Sequence, residues 1–115
     1  MEPVGPPSPL GTWQLAQVAG LALPVPISSI GAFLLEIDAG TLIISGEGTF
    51  TASLLLRNTV SGDLTTRDDA GTWIGQGSRI QLTYDMGCTN EVELDHSRLR
   101  IVEDCKHQVE FVYMR

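Results

Sequence analysis

Arg79-Ile80-Gln81-Leu82-Thr83-Tyr84-Asp85 is the stretch that decides the fold. Ile80, Leu82 and Tyr84 alternate with Arg79, Gln81, Thr83 and Asp85. Successive side chains of a strand point to opposite faces, so this pattern predicts a strand with one face in a core and one in water. A turn signal, Gly75-Gln76-Gly77-Ser78, stands before it.

The same period extends in both directions. Upstream, Trp13 and Leu15 face one way in a first strand that starts at Gly11-Thr12-Trp13 and ends near Gly20. Phe33, Leu35 and Ile37 open a second strand, bent or bulged at Ala39-Gly40 and continued by Leu42 to Ile44. Phe50, Ala52, Leu54 and Leu56 line a third after the Ser45-Gly46-Glu47-Gly48 turn. Leu64 to Ile74 form an irregular fourth, with a possible break at Asp68-Asp69-Ala70-Gly71. Downstream, Val92 and Leu94 face inward within Glu91 to Asp95, then Leu99 and Ile101, then Val109, Phe111 and Tyr113. Leu21 to Ile30, rich in Leu, Pro, Ile and Ser, reads as a long loop. Helix signals are nearly absent.

Short connections favour antiparallel neighbours in sequence order. An even meander whose ends pair is an eight-stranded antiparallel up-and-down barrel, all-β with little or no helix. A two-sheet sandwich needs long crossovers, and only the Leu21 to Ile30 loop is long enough for one. Closure sets the start of the first strand beside the end of the last. Trp13 and Arg115 then meet, ring against guanidinium, at one end.

The bulk properties bound the function. The chain has 115 residues, enough for one domain, with a pro-rich arm at 1–9 ahead of a barrel at 10–115. The arm lacks a charged start and an apolar core, so it does not read as a signal peptide; a chain beginning after a removed signal would look the same. The net charge is -7 and the seven basic residues are scattered, which disfavours nucleic acid and anionic membrane surfaces. No apolar run is long enough for a membrane helix.

Several segments together resemble the lipocalin and calycin superfamily, in particular short bacterial lipocalin-like domains. They are Leu10-Gly11-Thr12-Trp13-Gln14-Leu15, Val18-Ala19-Gly20-Leu21-Ala22-Leu23-Pro24 and Gly46-Glu47-Gly48-Thr49-Phe50. Gly71-Thr72-Trp73 with Ile80-Gln81-Leu82-Thr83, and Phe111-Val112-Tyr113-Met114-Arg115, complete the set. The resemblance implies a barrel in which Trp13 packs across a closed end under Arg115. The chain is shorter than a full lipocalin, and it lacks the flanking helix and a Thr-Asp-Tyr motif.

Tracing the meander places the turns near Gly46, Gly77 and His96 at the Trp13–Arg115 end, with Trp73. The Leu21 to Ile30 loop, the Gly62 turn and the loops holding Cys88 and Cys105 lie at the other, open end. Cys88 and Cys105 are expected to form a disulfide, worth about 3 kcal/mol in the chain-entropy model. A periplasmic or secreted location follows if that bond exists and a signal was removed, and a cytoplasmic one otherwise. A metal site of Cys88, Cys105 and His107 lacks the usual ligand spacing.

The candidate ligand-binding residues are therefore Leu21, Leu23, Val25 and Ile27 at the mouth, with Pro26 beside them. Phe33, Leu35, Phe50, Leu54, Ile80, Leu82, Tyr84, Leu99, Phe111 and Tyr113 complete the set in the interior. An interior of this size is either filled or holds one small ligand. No catalytic, metal or cofactor constellation is present: Ser28, Ser29, His96 and His107 fall in no nucleophile motif, and Asp68-Asp69 and Glu103-Asp104 read as turn carboxylates. The expected function is binding of an apolar small molecule at the open end, without enzymatic activity. The alternative is an interaction protein that docks a subunit through residues 21–30, with homo-oligomers possible. A protease-inhibitor form of it would use the arm from Pro3 to Pro9.

Overall fold

A computed structural model of the chain describes residues 8–30, 33–103 and 109–115. Ten strands run in order: β1 (Gly11–Val18), β2 (Leu21–Ala22), β3 (Val25–Ile30), β4 (Phe33–Ile44), β5 (Thr49–Asn58), β6 (Leu64–Gln76), β7 (Arg79–Tyr84), β8 (Thr89–Leu94), β9 (Arg98–Glu103) and β10 (Val109–Met114). No helix occurs among the described residues. From β4 to β10 each strand pairs antiparallel with the next. β1 pairs with β10 along one edge and, through residues 11–14, with residues 41–44 of β4 along the other. Those two pairings close an eight-stranded antiparallel up-and-down barrel, and closure leaves the sealed part of the wall without an exposed edge.

The burial of β7 and β8 follows the sequence alternation: Ile80, Leu82, Val92 and Leu94 are buried while Arg79, Gln81, Glu91 and Glu93 are exposed. Two strands change phase. In β1 the inward residues are Trp13, Leu15 and then Val18, because the register shifts between Leu15 and Gln17. In β4 a second shift, between Ile37 and Ala39, puts Ile37 and Gly40 on the same inner face. An extra residue on one strand bends it and increases its twist. Both bulges lie where β1 and β4 part company, beyond Gln14 and Thr41.

The parting explains a correction. Residues 21–30 are not a loop but carry two short strands. β2 pairs with the end of β1 (Val18 with Leu21), and β3 pairs with the start of β4 (Val25 with Ile37). Once β1 and β4 diverge, their facing backbone groups need partners, and this segment supplies them. Pro24, Pro26 and the two serines hide the alternation in the sequence. Two further boundaries differ. β6 runs unbroken through Asp68, Asp69, Ala70 and Gly71, each paired across to β5. β8 begins at Thr89 rather than Glu91, which turns Asn90 inward and buries it.

The barrel narrows around two inward glycines. A Cβ on Gly40 would lie 2.8 Å from both Cβ and Cδ2 of Leu15, and 3.0 Å from Cδ2 of Leu54. A Cβ on Gly71 would collide with the Thr83 carbonyl and come within 2.9 Å of Phe50 Cε1. The missing side chains let Leu15 and Phe50 lie against the opposing backbone, so the lower interior fills with side chains. Trp13, Leu42, Leu82 and Leu99 are fully buried there.

Gly40→Ala is expected to destabilise the fold by about 1–3 kcal/mol through overpacking against Leu15. Gly71→Ala is expected to cost more, because a strand backbone rather than a side chain must move. Urea unfolding midpoints measure both; equal stability of Gly71→Ala and the parent would refute the close approach.

Candidate functional site

The two ends of the barrel differ in chemistry. At one end the Arg115 guanidinium stacks on Trp13, its central carbon 3.9 Å from the ring centroid. The fork makes three further bonds: Nε donates to the His96 carbonyl (3.0 Å), Nη1 to that of Leu10 (2.8 Å) and Nη2 to that of Ser8 (2.8 Å). Trp13 donates its indole N–H to the Pro9 carbonyl at 2.9 Å. A planar, five-donor cation can gather three carbonyls and cover an aromatic face at once, which no other side chain does. The contact expected between Trp13 and Arg115 is present, with the carbonyls of Ser8, Pro9 and Leu10 bonded to the pair.

The neighbouring turns hold this lid. Asp95 Oδ1 accepts from the backbone N–H of Ser97 (2.9 Å) and of Arg98 (2.8 Å), which shapes the turn presenting the His96 carbonyl. Those two bonds hold the Asp95 carboxyl below its ordinary value of 3.8. Trp73 donates its indole N–H to the Ser45 carbonyl at 2.7 Å and fastens the Gly46 turn at this same end.

Away from the lid the inner face carries both buried and half-buried side chains. Phe50, Ile80, Leu82, Leu99 and Tyr113, all expected as interior residues, are buried and form the floor. Leu23, Leu54, Tyr84 and Phe111 are half-buried against that floor, and Leu35 is half-buried further along β4. These five line the mouth. Val25, expected at the mouth, is buried in the wall, and Leu21 is 58% exposed. The side chains of Ile27 and Phe33 lie outside the described residues, as do Cys105, His107 and with them the expected pairing of Cys88.

Two aromatic hydroxyls give the mouth its polarity. Tyr84 meets the edge of Phe50, with ring centroids 5.1 Å apart and planes at 85°. Tyr113 is buried beside Tyr84 and Asp69. Its pKa is raised, first by burial and then by the proximity of Tyr84 and Asp69, so it stays protonated as a donor. Asp69 stands opposite Ala52 on the inner face, two residues along β6 from Gly71, the partner of Tyr84. Sequence reading assigned Asp69 to a turn and missed it. The signal was available: Asp69, Gly71 and Trp73 share one parity, once the strand is read as unbroken.

Outside the barrel, Arg57 grips Glu36 through Nε (2.8 Å) and Nη2, and its Nε lies 3.5 Å from Asp38. The Glu36 bond, then the charge of Asp38, raises the Arg57 pKa further above its ordinary value. This cluster ties β5 to β4 across the bulge. A charge ladder of Arg79, Glu93, Arg100 and Glu110 crosses the exposed faces of β7 to β10. Among the described residues no three His, Cys, Asp or Glu side chains stand together as a metal site. No family model, no curated protein and no solved structure matches the chain.

Arg115→Ala should lower stability by about 2 kcal/mol through loss of the stack and the charged hydrogen bonds. Arg115→Lys should recover less than half, since an ammonium lacks the fork. Denaturant titration of the three proteins decides this; full rescue by lysine would show that charge alone suffices.

A second expectation concerns acid. The Asp95 carboxyl is depressed in the folded state, so its contribution is present above pH 3.8 and is lost as pH falls below that value through the folded pKa. Asp95→Asn keeps an acceptor but does not titrate. Melting temperatures from pH 6 to pH 2.5 should therefore converge for parent and variant at the acid end; a constant gap would contradict the assignment.

Proposed function

We propose that this chain is a small lipocalin-like binding module that holds an apolar small molecule at the open mouth of its barrel. The closed eight-stranded barrel and the Trp13–Arg115 lid support the lipocalin-like reading. One observation carries the functional part. In the half of the barrel away from the lid, half-buried Leu23, Leu35, Leu54, Tyr84 and Phe111 stand among buried Val18, Ile37, Leu56 and Ile101. An apolar surface left unfilled at the concave end of a packed barrel is where a ligand gains most from leaving water.

The filled lower interior limits the depth. A ligand rests in a cup above Phe50 and Tyr113 rather than in a long cavity. The protonated Tyr113 hydroxyl offers a hydrogen bond to a carbonyl or ether oxygen on an otherwise apolar molecule, and such a bond orients the ligand more than it tightens it. Docking of a protein through residues 21–30 draws less support, since Val25 is buried and Leu21 is the exposed large apolar side chain described in that segment.

Fluorescence titration with the neutral apolar probe N-phenyl-1-naphthylamine tests the reading. Saturable binding is expected, weakened by about tenfold or more in Leu54→Asp, which places a charge in the cup. Leu21→Asp, outside the cup, should leave the affinity unchanged. Absence of saturable binding, or equal loss in both variants, would overturn the proposal.

A further inference from the structure

The rim of the barrel is uneven. β4, β5 and β6 have 12, 10 and 13 residues, whereas β7 and β8 have 6 each. β6 pairs with β5 from Leu64 to Thr72, but with β7 only from Gly71 to Gln76. The wall on the far side of residues 64–69 stops at the β7–β8 turn, where the Asp85 N–H donates to the Ala70 carbonyl at 2.9 Å. Beyond that bond, residues 64–69 have ladder partners on the β5 side alone among the described residues.

The direction of the backbone groups follows from the bonds at hand. The Trp73 N–H donates toward β5, to Gly48, and the Asp63 carbonyl accepts from Asn58 on the same side. The Ala70 carbonyl points the other way, to Asp85. The β5–β6 register runs without a shift, so direction alternates residue by residue. The N–H and C=O groups of Leu64, Thr66 and Asp68 therefore face the open edge. A row of such groups is a template for another strand.

Next to that edge, on the outer face, lies a groove of about 660 Å³. Its lining includes apolar Ile43, Ala70 and Met86, and the outward acidic residue Asp68 with Asp85 of the β7–β8 turn, with no basic residue among them. Ile43 and Met86 are 46% and 59% exposed. Asp68 stands opposite Ser53 on the outer face, and Arg67 opposite Leu54 on the inner face. A strand added at this edge would set its outward side chains beside Asp68 and Asp85 and over the apolar groove. Lysine and arginine suit that setting, with stems on Ile43 and Met86 and charged ends on the carboxylates. A second copy of this chain suits it poorly. Pairing of two β6 edges would bring the Asp68 and Asp85 groups of both copies together, in a chain of net charge -7.

We propose that the open edge of β6 at residues 64–69 is a docking site for a short, extended, basic segment of a partner protein, which adds to the sheet as an extra strand. The site is separate from the cup: the partner is held by backbone hydrogen bonds and by the outer groove, and specificity for basic residues comes from Asp68 and Asp85.

A fluorescently labelled peptide of alternating lysine and valine, titrated by anisotropy at low salt, provides the test. Binding is expected, and it should fall by about tenfold or more when the peptide is N-methylated at alternate backbone nitrogens on its bonding edge. A peptide of the same length with glutamate in place of lysine should not bind. Asp68→Asn with Asp85→Asn should weaken binding by about tenfold and flatten its salt dependence. Thr66→Pro removes an N–H that faces the open edge and leaves the β5 ladder intact, so it should abolish binding with an unchanged circular dichroism spectrum. If that variant does not fold, the N-methylated peptide supplies the same measurement on the parent protein. Equal affinity for N-methylated and unmodified peptides would overturn the proposal, as would absence of binding. Sedimentation showing a dimer that Thr66→Pro dissolves would assign the edge to a second copy and overturn it as well.

Discussion

Closure of β1 against both β10 and β4 is the constraint on which the rest of the molecule depends. A single strand must satisfy two neighbours that are far apart in the chain, and the loop-closure entropy of that arrangement is recovered only when every pairing forms. The lid lies at the start of β1, where this closure is completed. Arg115 follows the last strand, Trp13 lies in the first, and the carbonyls of Ser8, Leu10 and His96 converge on one guanidinium. The stack and the hydrogen bonds hold β1 and β10 in register at the point where a slip of one residue would turn every inward side chain outward.

The same constraint shapes the opposite end. β1 cannot follow both neighbours over its whole length, because bulges near Ala16 and Asp38 bend β1 and β4 apart. β2 and β3 fill the divergence, and the wall rises unevenly above it. Strand lengths then decide what the open end offers. The long strands β4 to β6 carry Leu35, Leu54 and Asp69 above the packed floor, and the short β7–β8 hairpin leaves a notch beside β6. The cup and the open edge are two consequences of one mismatch in strand length.

Most of the barrel was legible as alternation. Ile80, Leu82 and Tyr84, or Val92 and Leu94, announce an inner face without help from any distant residue, because strand side chains alternate with a period of two. Alternation failed where bulges or prolines changed its phase. Val18 and Val25 lie inside β1 and β3, but the bulge near Ala16 and the proline Pro26 break the pattern around them. It failed differently at Asp68-Asp69-Ala70-Gly71. Polar residues and a glycine there look like a turn, yet β5 supplies a full ladder of partners and Phe50 needs the space that Gly71 leaves. Local propensity is a weak prior against a cross-strand partner already in place.

The amino-acid sequence by itself determined the strand class, the inward face of regular strands such as β7, and the meeting of Trp13 with Arg115, since antiparallel closure of a meander leaves its two ends no other neighbour. The tertiary structure alone decided which inward side chains are floor and which are mouth. Phe50, Leu54 and Leu56 share a strand face and a pattern, but Gly71 lets Phe50 sink into the core, Leu56 is buried against β4, and Leu54 between them is half-buried. Burial at that level depends on what stands across the barrel, and no periodicity within one strand records the height of another.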